Sequence, residues 1–127
     1  MIYTVTLNPA LDYIMYPNNL SVGEINRSAR ESLYFGGKGI NVSFILNELE
    51  IPSVATGFIA GFTGDALENA VSAFAKPDFV RLENGITRIN VKLRAENETD
   101  INAAGPEVSK ADINRLFERL EKVRAGD

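Results

Sequence analysis

Apolar and polar positions divide the chain into short segments of two kinds. Ile2 to Leu7 is a short apolar, β-branched run stopped by Asn8-Pro9, which predicts a buried strand ending in a turn. Asp12 to Tyr16 predicts a second short strand, closed by Pro17-Asn18-Asn19. Glu24 to Phe35 mixes polarity with rough alternation and predicts a half-exposed strand or hairpin arm. After Gly36-Gly37-Lys38-Gly39, the residues Ile40, Phe44, Ile45 and Leu49 fall near helical spacing, with Pro52 just beyond. That predicts a buried helix opened by a glycine turn. Ser53 to Ile59 returns to strand character. Gly61-Phe62-Thr63-Gly64 reads as a loop, and Asp65 as the cap of a helix with Ala66, Leu67, Ala70, Val71 and Phe74 on one face.

Phe79 to Leu82 and Ile86 to Glu96 flank Glu83-Asn84-Gly85, and Asn-Gly predicts a hairpin between them. In the second run Ile89, Val91, Leu93 and Ala95 alternate with Arg88, Asn90, Lys92 and Arg94, one face apolar and the other basic. Gly105-Pro106 reads as a loop. Ser109 and Asp112 open the best amphipathic helix, with Ile113, Leu116, Phe117, Leu120 and Val123 on its apolar face and Gly126 at its end. Strand-helix alternation predicts an α/β domain with a parallel sheet between helices. The short strands within about 12–35 and 86–98 do not fit that repeat and predict a small accessory sheet. No strand follows the last helix, so the expectation is one incomplete domain over residues 1–127, a fragment of a longer protein.

Composition narrows the chemistry. The 127 residues are 45% apolar and 24% charged, which suits a packed core and excludes wholesale disorder. With no Cys and no His, disulfides, thiolate nucleophiles and imidazole bases are excluded. Chemistry must run on carboxylates, Lys and Arg, hydroxyls and backbone groups. Thirteen basic against 17 acidic residues give a net charge of −4, which argues against a nucleic-acid partner. Lys76, Arg81, Arg88, Lys92 and Arg94 nevertheless form a local basic strip, read for most of them as a solvated strand face. The chain start has neither a signal-peptide pattern nor a membrane span, so the expectation is cytoplasmic, with three glycosylation sequons arising by chance.

The sharpest local signal is Gly36-Gly37-Lys38-Gly39-Ile40-Asn41-Val42. Glycines let backbone N–H groups approach an anion, the helix N-terminus adds partial positive charge, and Lys38 adds a full one. Neither the P-loop nor the dinucleotide fingerprint fits this spacing. A plain tight turn with a solvent-facing Lys38 explains the same residues, and residue physics alone leaves the two readings open. Asp12 follows the first strand, where open α/β sheets bind ligands, and its carboxylate suits sugar hydroxyls; an Asx turn explains it as well. Arg88 suits phosphate, through two parallel hydrogen bonds.

These segments together, Asn8-Pro9-Ala10-Leu11-Asp12, Gly36 to Val42, Gly57-Phe58-Ile59 with Gly61 and Gly64, and Thr87-Arg88-Ile89-Asn90-Val91-Lys92, resemble the pfkB-type carbohydrate kinases of the ribokinase-like superfamily. Within it the resemblance is strongest to the 1-phosphofructokinase and tagatose-6-phosphate kinase branches. It implies a three-layer α/β/α fold, incomplete here, with a small β-sheet lid that forms a homodimer contact. It implies ATP and Mg2+ as cofactors and transfer of the ATP γ-phosphoryl group to a ketohexose phosphate, with fructose 1-phosphate favoured. Asp12 would bind sugar hydroxyls. Gly37, Lys38, Gly39 and Asn41 would hold sugar and phosphate. Arg88, with Lys92, would clamp the substrate phosphate, and Arg27 would act across a dimer. The family's catalytic aspartate opens a late helix in a Gly-Ala-Gly-Asp motif that is absent here; Ala125-Gly126-Asp127 ends a helix instead. The resemblance therefore implies the sugar-phosphate half of a kinase, inactive alone. The rival expectation is a non-catalytic sugar-phosphate-binding module.

Overall fold

The structure, a computed structural model, describes all residues from Met1 to Asp127. Along the chain run β1 (Ile2–Thr6), β2 (Ala10–Pro17), β3 (Ser28–Gly36), α1 (Lys38–Glu48), β4 (Ser53–Ala60), α2 (Gly61–Val71), β5 (Lys76–Pro77), β6 (Val80–Leu82), β7 (Arg88–Arg94), β8 (Glu98–Ile101) and α3 (Lys110–Leu120). They form two sheets. In the first, β4 is central, with β1 parallel on one side and β5 then β6 parallel on the other. Every residue of β4 is buried, as its unbroken small and apolar run requires of a strand covered on both faces.

The two faces of β4 carry separate parts of the core. Ala55 and Ile59 cluster with Ile40 of α1 and with Leu67 and Val71 of α2. Phe58 and Ala60 cluster with Val80, Leu82 and Leu116 of α3. Helices, sheet and helix thus make three layers. Leu67 is fully buried, so cutting it to Ala should cost about 2–5 kcal/mol. Three hydroxyls also join the layers. Ser43 Oγ lies 2.7 Å from Thr4 Oγ1 and 3.0 Å from Ser53 Oγ, tying α1 to β1 and β4 inside the core.

The second sheet has the order β3-β2-β7-β8. β2 pairs antiparallel with β3 and parallel with β7, and β7 pairs antiparallel with β8. Leu11 and Phe35 pack its apolar face onto the α2 side of the core. This is the accessory sheet expected from the sequence, with strands lying in residues 10–36 and 88–101.

Several expectations are corrected. Residues 83–85 do not join a hairpin: β6 pairs with β4, whereas β7 pairs with β2. Asn-Gly favours a turn locally and carries no information about which strands it connects. The crossover is instead pinned by buried Thr87, whose Oγ1 accepts from Ala60 N–H (3.0 Å) and whose carbonyl accepts from Thr63 Oγ1 (2.8 Å). Gly61 to Gly64 is the first turn of α2, not a loop, and Asp65 is not its cap. Arg81 takes the Asp65 and Glu68 carboxylates on the surface. The Glu24 arm becomes strand only from Ser28, and β8 extends the small sheet past residue 98 to Ile101.

Burial also differs. β1 alternates, leaving Ile2 and Val5 exposed. In α1 only Ile40 and Ser43 are buried. Ile45 and Leu49 are exposed, and half-exposed Phe44 meets Phe74 edge-on with ring centroids 5.5 Å apart. In α3 the capping box between Ser109 and Asp112 forms as expected, but the helix ends at Leu120 and buries only Leu116. No helix is long and apolar enough to cross a membrane.

Candidate functional site

Thr6, at the carboxyl end of β1, supports the glycine turn. Its Oγ1 accepts the Ile40 N–H at 3.1 Å. Gly37 has φ +148°, and a β-carbon there would lie 2.4 Å from Thr6 Cγ2. On Gly39 it would lie 2.7 Å from both Thr6 Oγ1 and the Val5 carbonyl. Only bare backbone lets the turn settle this closely on β1. Lys38 and Asn41 sit exposed in the first turn of α1, which holds no acidic residue, so the positive end of the helix is left uncompensated.

The other half of the site is the polar face of the small sheet. Asp12 of β2 stands in register with Asn90 of β7, whose Nδ2 donates to Asp12 Oδ1 at 2.9 Å. Lys92 Nζ lies between two carboxylates, 3.8 Å from Asp12 Oδ2 and 3.7 Å from Asp100 Oδ2. Gly36 leaves room for this arrangement, since a β-carbon there would come within 3.2 Å of Asp12 Oδ2. Arg94 bonds Asp100 at 2.7 Å. That hydrogen bond holds the Asp100 carboxyl below the usual carboxylate range and raises the Arg94 guanidinium.

Arg88 reaches from the start of β7 to the carbonyls of Asn8 (3.0 Å) and Ala103 (3.4 Å), with its Nε buried and without a partner. Asn8 Nδ2 in turn donates to the Ala104 carbonyl at 2.9 Å. The loop after β1 and the loop after β8 are thereby laced together beside Asp12.

The structure brings Asp12, Arg88 and Lys92 onto one face and sets Gly37, Lys38, Gly39 and Asn41 at its adjoining end, where Gly36 pairs with Ala10. It does not bring Arg27 there. Arg27 is exposed and precedes Ser28, which pairs with Pro17, five positions beyond Asp12. That is roughly 17 Å along the strand. The solvated basic strip is corrected in part, since only Lys76 and Arg81 of the five are exposed. Arg88, Lys92 and Arg94 are half-buried and engaged, and Lys76 and Arg81 belong to the other sheet. Alternation showed Asn90 on the polar face, but its contact with Asp12 depends on a parallel register between segments 78 positions apart. Thr6 and Thr87 carried only one weak signal, a hydroxyl at the edge of an apolar run. No three His, Cys, Asp or Glu side chains converge as metal ligands, and Asp12 and Asp100 already share Lys92. The donor set of this chain by itself does not fit a magnesium ion.

A parallel sheet between helices, with a second small sheet joined across its carboxyl edge, defines the ribokinase-like class of α/β proteins. Within that class the chain belongs to the pfkB family of carbohydrate kinases, whose family model matches residues 5–126. It is 44% identical over 133 residues to a 1-phosphofructokinase of Bacillus subtilis, covering 100% of this chain and 42% of that protein. It is 36% identical to a D-tagatose-1-phosphate kinase of Bacillus licheniformis, covering 99% and 41%. Among solved structures, a candidate phosphofructokinase from Staphylococcus aureus superposes with a TM-score of 0.91 at 37% identity, over 97% of this chain and 40% of that one. Escherichia coli phosphofructokinase-2 shares the fold at 23% identity, with a TM-score of 0.88, over 98% and 42%. The chain spans about 40% of the length of the relatives it matches.

Proposed function

We propose that the chain is the sugar-phosphate-holding part of an ATP-dependent kinase that phosphorylates a ketohexose phosphate, with fructose 1-phosphate converted to fructose 1,6-bisphosphate. The observation that carries this reading is the joining of Asp12, Lys92 and Arg88 on one sheet face to the Gly37–Gly39 turn at the head of α1. A carboxylate for hydroxyls and cations for a phosphate stand side by side, as a phosphorylated sugar requires. Asp12 accepts from sugar hydroxyls. Gly37, Lys38, Gly39 and Asn41 hold sugar and phosphate at the helix end, and Arg88 with Lys92 grips the phosphate already on the substrate. The 44% identity with a 1-phosphofructokinase supports fructose 1-phosphate over tagatose 6-phosphate or fructose 6-phosphate.

This part contributes position and charge, which dominate phosphoryl transfer. The proton-accepting aspartate and the groups for ATP and Mg2+ belong to the remaining length of the enzyme. Asp127 is not that aspartate: it lies beyond α3 and accepts from the Arg124 N–H at 2.8 Å. The small sheet acts as a lid and a homodimer contact, with Arg27 reaching the partner's site. Exposed Leu33 on β3 and Ile101 on β8, which share the sheet face away from Asp12, support that contact. A cytoplasmic location follows from small phosphorylated substrates.

The test begins with the intact mass of the protein as its own cell makes it, which should be about two and a half times 13.9 kDa, since the chain covers 42% of a 1-phosphofructokinase it matches. ATP-dependent ADP release is then measured with fructose 1-phosphate, fructose 6-phosphate, tagatose 6-phosphate and tagatose 1-phosphate. The highest kcat/KM is expected with the first. Binding without ADP release would replace the kinase with a non-catalytic sugar-phosphate-binding module.

A further inference from the structure

We infer that Asn90 is a positioning residue that sets the spacing between the hydroxyl-binding and phosphate-binding groups of the site. The inference rests on the sugar-phosphate reading above. Asn90 is 6% exposed, and both ends of its amide are committed. Its Nδ2 donates to Asp12 Oδ1 at 2.9 Å, and its Oδ1 accepts from the Ala103 N–H at 3.2 Å. A carboxylate only accepts and a backbone N–H only donates, so the amide cannot turn over without losing both bonds.

Two consequences follow. First, the Asp12 carboxylate is held by one oxygen. Oδ2 keeps its lone pairs for a ligand, with Lys92 at 3.8 Å, beyond a direct hydrogen bond. Second, Ala103 is the residue whose carbonyl accepts from Arg88 at 3.4 Å. One buried amide therefore locates Asp12 directly and Arg88 through the Ala103 peptide. The distance between them fixes which separation of hydroxyl and phosphate a ligand must have. Asn90 touches neither reacting atom and acts through these two groups.

The test uses the complete kinase and three variants. Asn90→Ala removes both bonds. Asn90→Asp keeps an acceptor for Ala103 but sets a second carboxylate against Asp12. Asp12→Ala removes one of the two groups through which Asn90 acts. KM for fructose 1-phosphate should rise about tenfold in Asn90→Ala and at least as much in Asn90→Asp, while KM for ATP stays within about twofold. In the Asp12→Ala background, Asn90→Ala should cost clearly less than it does alone, the remainder being the part transmitted to Arg88 through Ala103. Wild-type KM in Asn90→Asp would reduce Asn90 to a tie for the Ala103 loop and overturn the inference, as would full additivity with Asp12→Ala. If Asp12→Ala itself leaves KM unchanged, the sugar-phosphate reading falls instead. Should the variants not fold, the side-chain 15N signal of Asn90 in the wild-type protein decides. It should shift on addition of fructose 1-phosphate, and an unmoved signal at saturation overturns the inference.

Discussion

The carbonyl oxygen of Thr6 lies 1.8 Å from the point a β-carbon on Gly57 would occupy. The two residues are register partners in the β1–β4 pair, and Gly57 has φ +145°. Gly57→Ala should therefore cost about 3 kcal/mol or more, through both clash and backbone strain. Urea denaturation of the chain should show a lower midpoint, or no folded baseline.

The hydroxyl of the same Thr6 supports the glycine turn. Thr6→Val keeps the side-chain shape but leaves the buried Ile40 N–H without its acceptor. The expected cost is about 1–3 kcal/mol, read as a lower urea midpoint together with faster hydrogen exchange at Ile40. Unchanged exchange at Ile40 would show that the bond is not what holds the turn.

Much of this arrangement was legible in the sequence, and what was missed has a physical pattern. The buried run of β4, the Ser109–Asp112 cap and the accessory sheet depend on local spacing, and the sequence pattern found them. The partner of β7 depends on register with β2, which no local preference encodes. Gly61 and Gly64 read as loop because glycine disfavours helix. Yet β-carbons there would lie 2.8 Å from the Gly85 carbonyl and 3.1 Å from Thr87 Oγ1, so tight packing outweighs propensity. Asp12 and Arg88 were legible as residue types suited to sugar hydroxyls and phosphate. Asn90 was visible only as one member of a polar face, because its meaning lies in two partners distant in sequence.

Arg88 offers a direct test of the phosphate assignment. In the complete enzyme, Arg88→Ala should lower kcat/KM for the sugar phosphate about 10- to 100-fold, the effect of losing a charged hydrogen bond. Arg88→Lys should recover little, since an ammonium cannot reproduce the two-pronged geometry. Steady-state kinetics settles the point, and an unchanged kcat/KM removes Arg88 from the site.

The hydroxyl trio makes a prediction about combination. Ser43→Ala strands the buried hydroxyls of Thr4 and Ser53 and should cost about 1–3 kcal/mol. Adding Thr4→Val and Ser53→Ala should not triple the loss, because no polar group is then left unpaired. Chemical denaturation of the single and triple variants checks this.

The cap of α3 gives a pH dependence. The Ser109 hydroxyl, and then its N–H, hold the Asp112 carboxyl below its ordinary range. A depressed folded-state value means the contribution is complete above the ordinary carboxylate pKa of about 4 and fades as pH falls below it. Thermal midpoints should drop over that acid range, and Asp112→Ala should flatten the drop. Ser109→Ala should cost about 1 kcal/mol at neutral pH.

All four passages of the chain between the two sheets gather at one place. Leu7 to Pro9 lead into β2, and Gly37 leaves β3. Residues 83–87 lead to Arg88, and Ala103, on the way back, is bonded to Asn90. In mechanical terms the hinge and its load share a location. The small sheet has no remote pivot about which to swing, so any tilt it makes opens or closes the space beside Asp12. A molecule seated there works as a keystone. Its few bonds lower the compliance of the whole joint, and tightening should register in both sheets at once rather than at the contacted residues alone.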